Sequence, residues 1–116
     1  MKLYYYPKCS TCRNAIKYLD AKDLAYKSVN IVETPPSQTE LKRMLNHLGG
    51  EVKKLFNTSG EMYRELGLKD KVAAMKADEA IKLLAQHGKL IKRPFLLSDH
   101  GGVVGFKEAE WQAFLD

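Results

Sequence analysis

Two cysteines stand at a junction where a short strand is followed by a helix. Residues 2–6 are rich in tyrosine and end at Pro7, which is typical of a strand that leads into a turn. Beyond Cys9, apolar residues recur at the spacing of one helix face. These residues are Cys12, Ala15, Ile16 and Leu19. The cysteine pair therefore occupies the start of an amphipathic helix.

The spacing of Cys9 and Cys12 suits thiol–disulfide chemistry. Two cysteines separated by two residues at a helix start can close a small disulfide ring with little backbone movement. Free backbone N–H groups stabilise a thiolate there, and Lys8 and Arg13 add positive charge nearby. We expect Cys9 to be the nucleophile, with a lowered pKa. Cys12 lies one turn further on the apolar face, so we expect it to be buried and to resolve a mixed disulfide.

Two other roles for the pair are open from the residues alone. A zinc site needs four ligands, and the other candidate ligands lie on separate predicted elements, namely His47, His87 and His100. The second alternative is an inert pair that only fills space. The strand–helix junction favours redox chemistry over both, so we expect no metal and no cofactor. A chain with only two cysteines also lacks the pattern of a secreted domain held together by disulfides.

The first half of the chain continues with a strand and a well-defined helix. Residues 24–32 are β-prone and predict a second strand. Ser37 and Glu40 form a capping box that opens a helix, and Gly49 and Gly50 are expected to end it.

Helices are also predicted in the next segment. Residues 51–71 indicate short helices, with Ser59 as a cap and Gly67 as a terminator. A longer helix is expected to open at Asp78 and to end at Gly88 in the left-handed conformation.

The C-terminal part of the chain predicts a hairpin and a last helix. Apolar runs at 95–97 and 103–104 flank a glycine-bearing loop, which indicates a β-hairpin, and residues 107–115 indicate a helix. The first two strands with the helix between them require a parallel pair, whereas the hairpin adds antiparallel strands. We therefore predict a mixed four-stranded sheet with helices packed on it.

The charge pattern excludes some partners. The formal net charge is +5 and the pI is near 9.2, but lysines alternate with acidic residues and no long basic run is present. We therefore expect no direct binding to nucleic acid. No apolar run approaches the roughly 18 residues of a membrane span, and the N-terminus is too short and too polar for a secretory signal. We expect a cytoplasmic monomer that does not associate with a membrane.

Four segments in order carry a resemblance to a known family. Besides the cysteine motif, they are Thr-Pro-Pro-Ser at 34–37, Tyr-Arg-Glu-Leu-Gly-Leu at 63–68 and Ile-Lys-Arg-Pro at 91–94. With them the chain resembles the ArsC/Spx family of glutaredoxin-like arsenate reductases and regulators over nearly its whole length. The resemblance implies an α/β, thioredoxin-like fold in a single domain, residues 1–116, with an all-helical insertion over about 36–88.

The resemblance also implies site residues. Local sequence makes the Arg93–Pro94 bond only a candidate for the cis form, whereas the resemblance implies that Pro94 is cis and that Arg93 lies beside Cys9. Arsenate reductases of this family hold the oxyanion with arginines, and only Arg93 matches here, because Asn57 and Phe106-Lys107 stand at the other positions. Neither Asn nor Lys supplies a planar charged fork. The residues we expect at the substrate are Lys8, Ser10, Arg13, Asn57 and Pro94.

Three functions follow from this resemblance. The first is a thiol–disulfide oxidoreductase that cycles through an internal Cys9–Cys12 disulfide and is reduced by thioredoxin, or by glutaredoxin and glutathione. The second is a redox-switched regulator, because the second cysteine is the pattern of the Spx-like branch, whose members bind the α subunit of RNA polymerase. Gly50 roughly matches a glycine used for that contact, although it also serves as a helix terminator. Arsenate reduction is the third.

Overall fold

The computed structural model describes residues 1–116. The helices and strands follow in this order: β1 (Lys2–Tyr5), α1 (Ser10–Ala21), β2 (Lys27–Asn30), α2 (Gln38–His47), α3 (Glu61–Glu65), α4 (Ala77–Gln86), β3 (Phe95–Leu97), β4 (Gly102–Val104) and α5 (Glu108–Leu115). Short 3₁₀ helices lie at Val52–Leu55, Leu68–Asp70, Val72–Ala74 and Gly88–Leu90. None of the helices has the length and hydrophobicity needed to cross a bilayer.

The strands form one mixed sheet. Their order across the four-stranded sheet is β2-β1-β3-β4. β1 pairs parallel with β2 and antiparallel with β3, and β3 pairs antiparallel with β4. The parallel pair needs a crossover, which α1 provides, and β3 and β4 form the predicted hairpin. The predicted mixed sheet is confirmed, and the fold is a thioredoxin-like α/β fold.

Alternation of side chains along the strands divides the core into two layers. One face of the sheet packs against α1 and α5, and the residues buried there are Leu3, Ala15, Leu19, Leu96 and Trp111. The other face carries Tyr4, Phe95 and Leu97, which join a larger cluster with buried residues of α2, α4 and the short helices. The helical segment between β2 and β3 thus covers one face of the sheet.

The start of α2 is fastened to β1 through one carboxylate. The predicted capping box is present: Ser37 Oγ accepts from the Glu40 backbone N–H at 3.1 Å, and Glu40 Oε1 accepts from the Ser37 N–H at 3.0 Å. Glu40 also accepts from the Tyr4 hydroxyl at 2.7 Å and from Lys2 Nζ at 3.1 Å. Burial alone would raise the pKa of Glu40, but these hydrogen bonds outweigh it and lower the pKa.

Glycines end α2 and α3 as predicted. Gly49, Gly50 and Gly67 have φ angles of 72°, 80° and 63°, in the left-handed region that glycine adopts without steric cost. The N–H of Gly50 donates to the carbonyl of Leu45 at 2.9 Å, which satisfies an otherwise free helix-end acceptor.

The prediction that Gly88 ends α4 in the left-handed conformation is wrong. α4 runs from Ala77, one residue before the predicted start, to Gln86, and Gly88 begins a 3₁₀ turn. A β-carbon built on Gly88 would lie 1.9 Å from the carbonyl oxygen of Ile31. Glycine is required here because the chain leaving β2 passes directly against it.

Two further predictions are corrected. Ser59 does not cap α3, because the helix begins after Gly60 and no side chain makes a cap hydrogen bond. Ser59 contributes instead through its carbonyl, which accepts from Arg64 Nη1 at 3.1 Å. The second strand covers 27–30 rather than 24–32, because its partner β1 offers only residues 2–5 for pairing.

Candidate active site

Cys9 caps α1 with its own side chain. It is the N-cap residue, with φ −96° and ψ 116°, and its backbone N–H donates to the Tyr6 carbonyl at 3.0 Å. Its Sγ accepts a hydrogen bond from the backbone N–H of Cys12 at 3.4 Å. The sulfur takes the place that a serine or aspartate oxygen has at most N-caps. An ionised sulfur is favoured there, because free N–H groups and the positive end of the helix face it.

The side chain of Arg93 approaches Cys9 from the segment before β3. The Arg93–Pro94 peptide bond is cis, as the resemblance implied. Arg93 Nη1 donates to the carbonyl oxygen of Lys89 at 3.1 Å, and the guanidinium carbon lies 4.9 Å from the centre of the Tyr6 ring. The guanidinium is thus held from two sides, close enough to Cys9 for its charge to act on the thiol.

The two thiols differ in pKa and in exposure. Burial alone would raise the pKa of Cys9, but hydrogen bonds from Cys12 and the charge of Arg93 outweigh it and lower the pKa, as predicted. Burial raises the pKa of Cys12 to about 12; a hydrogen bond from the Tyr6 backbone opposes that rise, and the Cys9 sulfur adds to it. Cys9 is partly exposed, Cys12 is fully buried, and both are free thiols. Cys9 is therefore the thiol of the pair that ionises more readily.

Three predicted substrate contacts surround the start of α1. Lys8 and Ser10 flank Cys9 in the chain and are exposed. Arg13 is also exposed, but its Nη1 donates to the carbonyl oxygen of Pro7 at 3.1 Å. Arg13 therefore braces the loop that carries Cys9, and the contact of all three with a substrate stays a prediction.

Asn57 and Pro94 lie on neighbouring segments. The N–H of Asn57 donates to the Leu90 carbonyl at 2.7 Å, which ties this part of the helical segment to the residues before Arg93. The carboxamide of Asn57 turns toward Gly60, where a β-carbon would lie 2.6 Å from Nδ2. Pro94 is buried. The structure therefore brings together Cys9, Cys12, Arg93 and Pro94, with Asn57 engaged in its own turn.

Tyr6 is a site residue that the sequence pattern did not reveal. It reads as the last residue of a strand, and its ring packs partly against the larger core cluster. The only signal for another role is its position immediately before Pro7 on the face that also carries Tyr4. The contact of the Lys89 carbonyl with Arg93 likewise cannot be predicted from residue type, because every residue has a backbone carbonyl.

The histidines lie apart from the cysteines. His47 is the last residue of α2, His87 is the C-cap residue of α4, and His100 lies in the loop of the hairpin. No group of three or more His, Cys, Asp or Glu side chains is arranged to hold a metal ion.

Two known proteins of similar length align over nearly the whole chain. The protein YusI of Bacillus subtilis, which is uncharacterised, is 46% identical over 112 residues, covering 97% of this chain and 95% of that protein. The crystal structure of an ArsC family related protein from Bacteroides fragilis superposes with a TM-score of 0.91 at 43% identity, covering 97% of this chain and 94% of that one.

More distant relatives carry functional names. An arsenate reductase of Neisseria meningitidis is 30% identical over 90% of this chain and 89% of its own length. The global transcriptional regulator Spx of Streptococcus mutans is 27% identical over 97% of this chain and 81% of its own length. The pattern of the ArsC family matches residues 4–114. With its helix-capping cysteine, its cis Arg93–Pro94 bond and this match, the chain belongs to the ArsC family.

Proposed function

We propose that this protein is a thiol–disulfide oxidoreductase in which Cys9 is the nucleophile and Cys12 the resolving thiol. The observation that carries the proposal is the asymmetry of the pair. Cys9 is partly exposed and its pKa is lowered, whereas Cys12 is buried and its pKa is raised to about 12. Only one of the two sulfurs can therefore meet a large partner as a thiolate.

The first step is attack by the Cys9 thiolate on one sulfur of a disulfide in the partner. A mixed disulfide forms at Cys9, the partner's S–S bond breaks, and its second sulfur leaves as a thiolate that takes a proton from water. Arg93 stabilises the attacking thiolate before this step. The partial exposure of Cys9 suits a disulfide on the surface of another protein or a small thiol compound.

The second step closes the internal disulfide. Cys12 gives its proton to solvent, its sulfur attacks Cys9 Sγ, and the partner's sulfur leaves as a thiolate. The negative charge on Cys9 contributes to the high pKa of Cys12 in the reduced protein. That charge disappears once Cys9 is in a mixed disulfide, so Cys12 becomes easier to ionise when its thiolate is needed. The partner gains two electrons and the pair loses them.

Two external thiol groups, from one dithiol or from two glutathione molecules, must then reopen the Cys9–Cys12 bond and are themselves oxidised to a disulfide. Thioredoxin, or glutaredoxin with glutathione, fits this role, because each system supplies thiolates that attack a disulfide and has a reduction potential suited to the cytosol. We place the activity in that compartment. The protein needs no cofactor for either step.

The proposal is tested by trapping. A Cys12→Ser protein incubated with oxidised thioredoxin or oxidised glutathione is expected to retain a mixed disulfide on Cys9, identified by peptide mass spectrometry. The matched Cys9→Ser protein is expected to retain none, because Cys12 is buried. Trapping at neither cysteine, or only at Cys12, would contradict the proposal.

A redox-switched regulator is the second candidate. It is favoured by alignment with Spx over 97% of this chain and by Gly50, which is exposed after α2 with a φ of 80°. Immobilised protein that retains the RNA polymerase α subunit in only one redox state, without turnover with thioredoxin or glutaredoxin, would select this reading. Turnover without retention selects the oxidoreductase.

Arsenate reduction is the weakest candidate. Asn57 and Phe106-Lys107 stand where the reductases carry two of their arginines, so only Arg93 supplies a guanidinium. A tetrahedral oxyanion would therefore lack two of the planar, bidentate contacts that favour its binding. Arsenate-dependent oxidation of the cysteine pair in a coupled assay would instead make arsenate reduction the first of the three candidate functions.

A further inference from the structure

Tyr6 contacts both the nucleophilic cysteine and the cation beside it. Its carbonyl accepts from the Cys9 N–H at 3.0 Å. Its ring lies beneath the guanidinium of Arg93, with 4.9 Å between the guanidinium carbon and the ring centre. We propose that Tyr6 is a positioning residue, whose ring holds Arg93 against the Cys9 thiolate; this rests on the proposed thiol chemistry of the site.

The need for such a residue follows from the side chain of arginine. Arg93 is only half-buried, and a partly exposed arginine has many rotamers that compete with any fixed position. Arg93 makes no ion pair with an acidic residue; its fixed contacts are the Lys89 carbonyl and the Tyr6 ring. An aromatic ring attracts the face of a guanidinium and leaves the N–H groups at its edge free. The ring therefore orients the cation without occupying its N–H donors.

The ring, rather than the hydroxyl, carries this role. The cation–π contact depends on the face of the aromatic system, which phenylalanine also provides. The backbone hydrogen bond between Tyr6 and Cys9 does not depend on the side chain. Replacing Tyr6 therefore separates the effect on Arg93 from the effect on the backbone of the loop.

The test measures Cys9 reactivity in a common Cys12→Ser background. The thiolate is followed by its ultraviolet absorbance and by the rate of iodoacetamide alkylation across pH. Tyr6→Leu is expected to shift the ionisation midpoint of Cys9 to higher pH. At pH values below that midpoint, alkylation should be about threefold slower. Tyr6→Phe is expected to keep the original profile. Tyr5→Leu is the matched control, because Tyr5 packs on the opposite core cluster, and it is expected to leave the profile unchanged.

A double-mutant cycle shows whether Tyr6 acts through Arg93. In an Arg93→Gln background, Tyr6→Leu is expected to cause no further shift of the profile. The proposal would be overturned if Tyr6→Leu shifted the pH profile of Cys9 equally with and without Arg93. It would also be overturned if Tyr6→Phe shifted the profile as Tyr6→Leu does. Tyr6→Met replaces Tyr6→Leu if circular dichroism shows that the leucine variant does not fold.

The two proposals fail separately. Alkylation and absorbance depend only on the thiol of Cys9. They therefore still test the role of Tyr6 if Cys9 forms no mixed disulfide with any partner. Conversely, trapping at Cys9 in the Tyr6→Leu, Cys12→Ser protein with an unshifted profile would retain the oxidoreductase and reject the role of Tyr6.

Discussion

Tyr4 in β1 and Tyr6, just beyond the C-terminal end of that strand, each lie beside a charged group, and the protein uses the two side chains differently. The hydroxyl of Tyr4 donates to Glu40 at 2.7 Å, and Lys2 completes the cluster around Glu40 at 3.1 Å. Tyr6 offers its ring face to Arg93, and the neighbouring sulfur of Cys9 accepts a backbone hydrogen bond at 3.4 Å. The first cluster consists of short, mutually satisfied contacts, whereas the second leaves a partly exposed sulfur.

This difference separates a structural cluster from a reactive one. Short contacts around Glu40 hold α2 on the sheet. Around Cys9, the cation and the helix N-terminus lower the pKa of the thiol, but the sulfur itself remains accessible. Substitutions in the Glu40 cluster should therefore change stability, and substitutions around Cys9 should change reactivity.

The largest expected effect is that of Cys9→Ser. Alkylation by iodoacetamide at neutral pH should be abolished, because Cys12 is fully buried and its pKa is about 12. The thermal midpoint should change little, since a serine hydroxyl also caps a helix. Stoichiometry by intact-mass spectrometry checks the first expectation. One alkyl group added at the wild-type rate would contradict it.

Glu40→Ala is expected to cost about 1–2 kcal/mol of unfolding free energy, because it removes a capping box and two further hydrogen bonds. Urea denaturation measures this loss. Glu79→Ala is the control, since Glu79 lies in the first turn of α4 without a side-chain cap, and it should change the free energy by less than about 0.5 kcal/mol. The rate of Cys9 alkylation should stay unchanged in both variants.

The pH dependence of the same cluster has a defined sign. The pKa of Glu40 is lower in the folded protein than in the unfolded chain, so its contribution is fully present above the ordinary glutamate pKa. That contribution is lost as pH falls through the folded pKa. Wild-type stability should therefore decline in this acidic window more steeply than that of Glu40→Ala. Parallel stability curves for the two proteins would show that Glu40 does not titrate as described.

Arg93→Gln is expected to slow alkylation of Cys9 about tenfold below the midpoint of its pH profile, because the nearby cation is removed. The unfolding free energy should change by much less than it does in Glu40→Ala. Arg13→Gln tests whether any nearby cation suffices, and its effect should be smaller, since Arg93 is the cation whose charge lowers the pKa of Cys9. Equal effects in the two variants would show that general surface charge controls Cys9.

The features that depend on short-range interactions are predicted correctly from the sequence. The capping box at Ser37 and Glu40, the left-handed terminators at Gly49 and Gly67, and the helix-capping position of Cys9 all depend on neighbours a few residues away. The mixed sheet followed from the order of strands and helices. The capping box, the glycine terminators and the position of Cys9 are encoded within single elements, which is why they can be predicted from one sequence.

The remaining features depend on contacts between distant parts of the chain. Local sequence predicts a helix terminator at Gly88, yet its conformation is set by the Ile31 carbonyl, which lies 1.9 Å from the β-carbon position. The roles of the Tyr6 ring and of the Lys89 carbonyl both depend on Arg93, because each contacts its guanidinium. No local pattern distinguishes Tyr6 from Tyr4, because both lie on one face of the strand and only their tertiary partners differ.

The smallest expected effect is that of Tyr4→Phe, which removes only the hydroxyl that donates to Glu40. The loss should be about 0.5–1.5 kcal/mol of unfolding free energy, since the ring keeps its edge contact with Phe95 at 5.6 Å between centroids. In a Glu40→Ala background the same substitution should cost less, because the acceptor is already absent. An identical cost in both backgrounds would mean that the hydroxyl does not act through Glu40. Unchanged Cys9 alkylation in Tyr4→Phe, beside slower alkylation in Tyr6→Leu, would show that only the tyrosine beside Arg93 controls the thiol.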